Sequence, residues 1–284
     1  MTLAVALVSD VFFDADGPAR LASRLAEARA AGAELAVLPE LPLNPWSPAT
    51  REPRDEDAED PGGPRHRTLA DAARTAGLGL VGGAIVRDPA TGRRHNTALV
   101  FDRAGALVSA YRKVILPEEP GFWETSHYEP GDRLAGVETA FGVPLAVQIC
   151  SDINRPVGAH LLGAAGAEAI LNPRATEPAY FGRWRTVFVA TALTACVYVL
   201  SVNRPRDEQG VPLGGPTFAV APTGDVLAET TDPVALVTLD RAVVAAARKR
   251  YPGYLAVPAD LYQVGWGSLR TTRLPNHEES RIKN

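Results

Sequence analysis

Three residues with reactive side chains follow directly on apolar runs of the chain. Cys150 closes the run 143–150, Glu40 comes after a second run and a proline, and Lys113 comes after a third. A thiol at the end of a buried strand is held rigidly yet faces an opening, which suits a nucleophile. The acid, the amine and the thiol together predict a catalytic set.

Each of these residues also has an ordinary structural interpretation. Glu40 taken alone is a solvated loop carboxylate, Lys113 is the surface end of a hairpin strand, and Cys150 is a buried core thiol. A glutamate next to an apolar strand is, however, costly if it is buried without a task. Since all three ordinary interpretations must hold at once, the set favours catalysis.

Other motifs in the chain carry less chemistry. Residues 77–82 match GxGxxG, but a dinucleotide loop follows a strand and opens a helix, whereas this segment follows a helical pattern and overlaps a strand. The histidines show no metal-ligand spacing, so we expect no metal. A Cys–His pair between Cys150 and His127 stays open as an alternative.

The composition is that of an ordinary globular protein with 284 residues, of which 46% are hydrophobic and 22% charged. A net charge of −4 gives no electrostatic case for nucleic acid. No uncharged run approaches the roughly 18 residues of a transmembrane helix, and the N-terminus lacks the pattern of a signal peptide. Two cysteines form no disulfide framework, so we expect a soluble protein of the reducing cytoplasm.

Strand patterns alternate with helical patterns along the chain. Hairpin signals at 103–105 and 222–225 interrupt the strand–helix units, which favours α/β layers with mixed sheets. No composition break or long linker divides the sequence. We therefore expect one domain over 1–284, with its core over about 3–250 and a C-terminal tail over 251–284.

An ordered set of segments resembles the nitrilase, or carbon–nitrogen hydrolase, superfamily, in its amidase and N-carbamoyl amidohydrolase branch. The matching segments are 38–40, 111–124, 128–132, 149–152, 202–204 and 214–218. Members of this superfamily use a Glu–Lys–Cys triad. The resemblance implies that Glu40 is the general base, Lys113 the electrophilic stabiliser and Cys150 the nucleophile. Glu124 occupies the place of a second glutamate, which positions substrate and lysine.

The chemistry of such a triad has a simple physical basis. A free thiol has a pKa of about 8.5, so it needs a base or a nearby cation to attack at neutral pH. Attack on an amide produces an oxyanion, which Lys113 and the backbone N–H of Ser151 could stabilise. A thioester forms, ammonia or an amine leaves, and a water activated by Glu40 releases the acid.

Five residues near the catalytic segments are candidates for substrate binding: Trp46, Trp123, Ser151, Arg174 and Glu177. Glu177 suits a cationic substrate, whereas Arg174 suits one that carries a carboxylate. Many relatives have an aromatic residue at the position of Ser151, so this chain departs from the usual pattern beside its nucleophile.

The resemblance implies a four-layer α-β-β-α sandwich without a cofactor, assembled as a homodimer or larger homo-oligomer with the tail at an interface. The expected function is hydrolysis of a C–N bond in a small amide or N-carbamoyl compound. Two alternatives stay open, which are a nitrile hydrolase with the same triad and an idle binding or regulatory member of the fold.

Overall fold

Buried apolar runs form the strands of two mixed β-sheets, and amphipathic helices lie outside them. The computed structural model describes residues 1–269. The strands within this range are β1 Thr2–Val8, β2 Leu35–Val37, β3 Ala58–Glu59, β4 Gly79–Arg87, β5 Arg94–Phe101, β6 Leu107–Arg112, β7 Glu118–Glu119, β8 Phe122–Trp123, β9 Leu145–Val147, β10 Ala169–Arg174, β11 Tyr198–Asn203, β12 Thr217–Val220, β13 Val226–Thr230 and β14 Val234–Asp240. The helices are α1 Gly17–Ala30, α2 Pro64–Ala76, α3 Pro156–Ala164, α4 Phe181–Ala195, α5 Arg241–Arg248 and α6 Ala259–Gly267.

The two large sheets each combine parallel and antiparallel pairs. The first has the order β14-β1-β2-β4-β5-β6, with β3 also paired to β4, and the second has the order β13-β12-β11-β10-β9. Strands β1, β2 and β4 are parallel, and so are β9, β10 and β11. The hairpins β4–β5–β6 and β12–β13 add antiparallel strands, and the pairs β1–β14 and β11–β12 are also antiparallel. The mixed sheets expected from the hairpin signals are therefore present.

Three apolar clusters define the layers of the fold. One joins the facing sides of the two sheets, with Leu3, Val5, Leu35 and Val81 from the first and Leu145, Leu171, Leu200 and Val202 from the second. Another packs α1 and α2 on the first sheet, through Leu21, Leu25, Leu69 and Ala73. A third packs α3 and α4 on the second sheet, through Ala159, Phe188 and Ala192. The predicted α-β-β-α sandwich is confirmed.

The GxGxxG segment lies where a helix passes into a strand. Gly77 ends α2 in the left-handed conformation, with φ of 63°, and the rest of the segment belongs largely to β4. A side chain at Gly82 would collide with Leu69 of α2, since a Cβ there would lie 2.8 Å from a Leu69 methyl carbon. These glycines therefore serve a helix end and close packing between helix and strand.

Residues 1–253 form one compact unit, and a second unit begins at Tyr254. The second unit contains α6, a helix that the sequence patterns did not predict, and its described apolar side chains are exposed. The part of the predicted tail from 270 to 284 lies outside the described residues. Across 1–269, every helix is too short or too polar to cross a membrane.

Candidate active site

The three predicted catalytic residues come from strand ends in both sheets. Glu40 follows β2, and Lys113 follows β6. These two strands run in the same direction, because β2 is parallel to β4 and two antiparallel pairings then connect β4 to β6. Cys150 follows β9 of the second sheet. The sandwich therefore brings together residues that are 110 positions apart in sequence, from Glu40 to Cys150.

Lys113 lies between two carboxylates in the interior. Its Nζ donates to Oε1 of Glu40 at 2.8 Å and to Oε1 of Glu124 at 2.6 Å, and all three side chains have no exposed area. Glu124 reaches this position from a 3-10 turn over Glu124–Ser126, directly after β8. Burying charged groups is costly unless they are paired. Three buried ionisable side chains are therefore unusual in a core that serves stability alone.

Polar groups from neighbouring elements fix the orientation of Glu40. Nδ2 of Asn96 donates to Glu40 Oε1 at 2.7 Å. The fully buried guanidinium of Arg204 donates to the carbonyls of Glu40 and Leu41 at 2.8 and 2.9 Å, and it pairs with Glu208 at 2.6 Å. The carboxylate and its backbone are thus both held in place.

Cys150 sits on a strained turn at the start of a 3-10 helix over Cys150–Asn154. Its φ of 46° is rare for a residue with a side chain, and such strain persists only where the surroundings enforce it. Here Nδ2 of Asn172 binds the carbonyl of Cys150 at 3.2 Å. The thiol Sγ lies 3.7 Å from the carbonyl oxygen of Ala175.

Asp152 connects the turn at Cys150 to the lysine segment. Its Oδ1 accepts from the backbone N–H groups of Val114 and Ile115 at 3.1 and 2.8 Å. Its Oδ2 accepts from the hydroxyl of Tyr111 at 2.8 Å and from the N–H of Ile149 at 3.0 Å. This single carboxylate, only 3% exposed, sets the position of Lys113 relative to Cys150.

The electrostatics of the cluster follow from burial and from one ammonium facing two carboxylates. Burial, and then the charge of Glu40, raise the pKa of the Cys150 thiol. Burial raises the pKa of Glu124 to about 8, against the opposing effect of Lys113. Burial alone would lower the pKa of Lys113, but the carboxylates of Glu124 and Glu40 outweigh it and raise that pKa. Lys113 is therefore a cation, and Cys150 rests as a neutral thiol.

An open cleft of about 680 Å³ reaches the thiol of Cys150. Its walls combine apolar and aromatic side chains with a few polar ones, and they include Phe122, Ser151, Glu177, Tyr180, Arg183 and Trp184. The volume and the mixed lining are typical of a small-molecule site.

The predicted pocket residues divide between the cleft and the interior. Ser151 and Glu177 line the cleft, and the Ser151 hydroxyl donates to the carbonyl of Ile115 at 2.5 Å. Trp46 is instead fully buried, with its indole N–H bound to the carbonyl of Gly121 at 2.8 Å. That placement corrects the prediction for Trp46, which packs edge-on against Phe122 at 5.7 Å and thereby supports the cleft wall.

Arg174 is also placed away from the cleft, which corrects its prediction, whereas the half-buried Trp123 follows the cleft-lining Phe122 and its role in substrate binding stays a prediction. The ring of Trp123 lies under the guanidinium of Arg51, at 3.7 Å. Arg174 is fully buried, and its donors bind the neutral acceptors Ser201, Thr176 and Pro216. Burial lowers the pKa of Arg174 to about 9. This guanidinium cannot reach a carboxylate in the cleft.

The alternative Cys–His pair is not formed. A ring nitrogen of His127 lies 2.7 Å from the carbonyl oxygen of Thr50, and the group next to the Cys150 thiol is the carbonyl of Ala175. In the part of the chain that the structure describes, no three His, Cys, Asp or Glu residues are arranged to hold a metal ion.

Comparison with known proteins agrees with this geometry. The carbon-nitrogen hydrolase family matches residues 10–249. The omega-amidase NIT2 of Homo sapiens is 29% identical over 261 residues, covering 88% of this chain and 92% of that protein. Nitrilase homolog 2 of Dictyostelium discoideum is 30% identical over 251 residues, covering 84% and 74% respectively. A carbon-nitrogen hydrolase from Helicobacter pylori G27 has a TM-score of 0.84 at 20% identity, covering 94% of this chain and 99% of that one.

The sandwich and the buried ionic cluster beside a free thiol define a hydrolase of the nitrilase superfamily. The match over most of its length shows that the chain belongs to the carbon-nitrogen hydrolase family. It is an amidase-type carbon–nitrogen hydrolase, as the sequence resemblance implied.

Proposed function

We propose that this enzyme hydrolyses the carboxamide of a small amide through a thioester on Cys150. The observation that carries the proposal is the buried cluster of Lys113, Glu40 and Glu124 within electrostatic reach of a thiol at the cleft. The curated relatives named omega-amidase support an amide over an N-carbamoyl compound or a nitrile.

Acylation begins with a neutral thiol, because burial raises the pKa of Cys150. Sulfur attacks the amide carbon while Glu40 accepts the thiol proton. The carbonyl oxygen becomes an oxyanion, and the Lys113 ammonium and the Ser151 backbone N–H stabilise it. Glu40 then returns the proton to nitrogen, the C–N bond breaks, and ammonia leaves a thioester behind.

Deacylation uses the same groups in reverse. Glu40 takes a proton from water, whose oxygen attacks the thioester carbon. The C–S bond breaks, the proton passes to sulfur, and the carboxylic acid leaves. Glu124 neither gains nor loses a proton during acylation or deacylation. It holds Lys113 in line through the 2.6 Å contact.

The test is ammonia release across a panel of small amides, N-carbamoyl compounds and nitriles. The proposal predicts turnover of amides, and its loss in Cys150→Ala with an unchanged circular dichroism spectrum. Cys196→Ala is the matched control, because Cys196 is also a buried free cysteine with positive φ. Turnover of nitriles alone would favour the nitrile alternative. No turnover together with a thiol that iodoacetamide does not label would favour the idle alternative.

We also propose that α6 lies at an interface between copies of the chain. Its apolar side chains are 53–70% exposed at Leu261, Tyr262, Val264 and Trp266. Exposed apolar groups in a row are typical of an interface. A Leu261→Glu/Trp266→Glu double variant should lower the mass measured by light scattering, and an unchanged mass would contradict the proposal.

We propose the cytoplasm as the compartment of the enzyme. Both cysteines are free, and the proposed nucleophile acts only as a reduced thiol. Cell fractionation with an antibody to the protein tests the location directly.

A further inference from the structure

Three buried polar atoms beside the ionic cluster make no hydrogen bond to any group within residues 1–269. They are the hydroxyl oxygen of Tyr128, Oε2 of Glu40 and Oε2 of Glu124. The three residues are 5%, 2% and 0% exposed. An unpaired buried polar group destabilises the fold, so stability does not explain the retention of three together. Such a set points to a ligand.

The three atoms belong to one corner of the site. Lys113 Nζ binds the other oxygen of each carboxylate, at 2.8 and 2.6 Å, so Glu40 and Glu124 flank the same ammonium. The N–H of Tyr128 donates to the carbonyl of Glu124 at 2.9 Å, which places Tyr128 one turn further along the same loop.

The Tyr128 ring packs among residues that adjoin the proposed reacting groups. The ring belongs to the cluster that contains Leu41, next to Glu40, and Ala175, whose carbonyl contacts the Cys150 thiol. Burial, and then the charges of Glu124 and Glu40, raise the pKa of Tyr128, so the hydroxyl keeps its proton. It is available as a donor beside both carboxylates.

With Glu124 ionised, the ligand that complements these atoms has at least two hydrogens to donate and one lone pair to accept. Below about pH 8, where Glu124 holds a proton, the ligand instead donates one hydrogen and accepts at two lone pairs. Water meets both requirements, and ammonia meets the first. The nitrogen of an intact amide does not, because its lone pair is delocalised into the carbonyl. The site therefore binds the substrate nitrogen only as ammonia, after the C–N bond breaks. It then binds the water molecule that replaces the ammonia.

We propose that Tyr128, with Glu40 Oε2 and Glu124 Oε2, forms a three-point site that receives the leaving ammonia and then holds the hydrolytic water against the Cys150 thioester. The inference rests on the proposed function. When water attacks, the C–O bond forms and the C–S bond breaks. Glu40 accepts one water proton and passes it to sulfur, which restores the thiol and frees the acid. Tyr128 donates to the water oxygen and keeps its own proton.

The test compares Tyr128→Phe with the unsubstituted enzyme on an amide substrate. Intact-mass spectra of acid-quenched samples follow the acyl-enzyme, and a coupled assay follows the first burst of ammonia. We expect the burst to persist, kcat to fall about 10-fold or more, and the acyl-enzyme to accumulate, because water is no longer positioned. We also expect an unchanged or higher melting temperature, since an unpaired buried hydroxyl is removed.

Tyr198→Phe is the matched control and should behave in the opposite way. The Tyr198 hydroxyl is bonded to the backbone of Asp240 at 3.1 and 3.2 Å, far along the sheet, so its loss should lower the melting temperature and leave kcat unchanged.

Two results would overturn the site. One is a Tyr128→Phe enzyme with the kcat of the unsubstituted protein. The other is a fall in melting temperature without accumulation of the acyl-enzyme, which would make Tyr128 a structural residue. Absence of a burst and of an adduct in the unsubstituted protein would instead defeat the proposed function and the site with it.

Discussion

The ammonium of Lys113 lies 2.6 Å from Oε1 of Glu124, with both side chains fully buried. A second carboxylate, that of Glu40, lies 2.8 Å from the same nitrogen. One buried cation cannot neutralise two carboxylates, so the interior favours retention of a proton. The proposed catalytic cluster is therefore also a source of pH-dependent stability.

Glu124→Gln should remove that pH dependence. Burial raises the pKa of Glu124 to about 8, so above the ordinary pKa of a glutamate the folded state binds a proton that the unfolded state does not. The associated stability is fully present below about pH 4 and is lost as pH rises through about 8, at up to about 1.4 kcal/mol per pH unit.

Urea denaturation between about pH 5 and 8 measures this effect. The stability of the unsubstituted enzyme relative to Glu124→Gln should fall as pH rises. The exposed Glu52→Gln variant controls for the substitution itself. If the difference in unfolding free energy between Glu124→Gln and the unsubstituted enzyme does not change with pH, Glu124 is not the group that titrates.

Lys113→Met should stop the reaction before the thioester forms. Without the ammonium, the oxyanion loses a charged donor, and the rate of acylation should fall by about 10²–10³. Two uncompensated carboxylates should also lower the free energy of unfolding by about 3 kcal/mol or more. Rapid-quench mass spectrometry measures the adduct, with exposed Lys249→Met as control. Normal accumulation of the adduct in Lys113→Met would contradict the role.

Asp152→Asn should weaken both the fold and the activity. The carboxylate accepts four hydrogen bonds with two oxygens, whereas an amide keeps one accepting oxygen, so two donors lose their partners. We expect a loss of about 2–4 kcal/mol in unfolding free energy and a lower kcat. Tyr111→Phe removes one donor and should cost about 1 kcal/mol. Equal stability of Asp152→Asn and the unsubstituted enzyme would show that the connection is unimportant.

Charged residues of the cleft should tune substrate choice in opposite directions. Glu177 and Arg183 line the cleft and form no ion pair within the described residues. Arg183→Gln should raise KM for carboxylate-bearing amides and lower it for cationic ones, by about two- to fivefold, as suits a solvated charge. Glu177→Gln should do the reverse, with a neutral amide as control. If each variant has the KM values of the unsubstituted enzyme for all three substrates, residues other than Glu177 and Arg183 recognise the charge of the substrate.

Most of the site residues that the sequence indicated lie at the ends of strands. Glu40, Lys113 and Cys150 each follow an apolar run, and parallel strands bring such ends together. Asp152 lay within the matching segment 149–152, but its structural role was not predicted, because three of its four hydrogen bonds come from the distant segment 111–115. Arg204 was part of a matching segment, but its hydrogen bond to the carbonyl of Glu40 forms only because the two sheets pack together.

The wrong pocket predictions have a common physical cause. Trp46 lies in a loop nine residues beyond β2, and Arg174 is the last residue of β10, so the direction of each side chain depends on tertiary packing that the sequence does not show. Trp46 therefore supports the wall through Phe122, and Arg174 binds backbone and hydroxyl groups inside the second sheet. Tyr128 was missed because nothing local distinguishes a buried unpaired hydroxyl from a core tyrosine.

The most direct test of the account is the site of acylation. The enzyme is quenched in acid during turnover of an amide, digested, and analysed by peptide mass spectrometry, in parallel with Cys150→Ala and Cys196→Ala. The proposed mechanism requires an acyl group on the Cys150 peptide that persists in Cys196→Ala and is absent, with all ammonia release, in Cys150→Ala. Continued ammonia release by folded Cys150→Ala would contradict it.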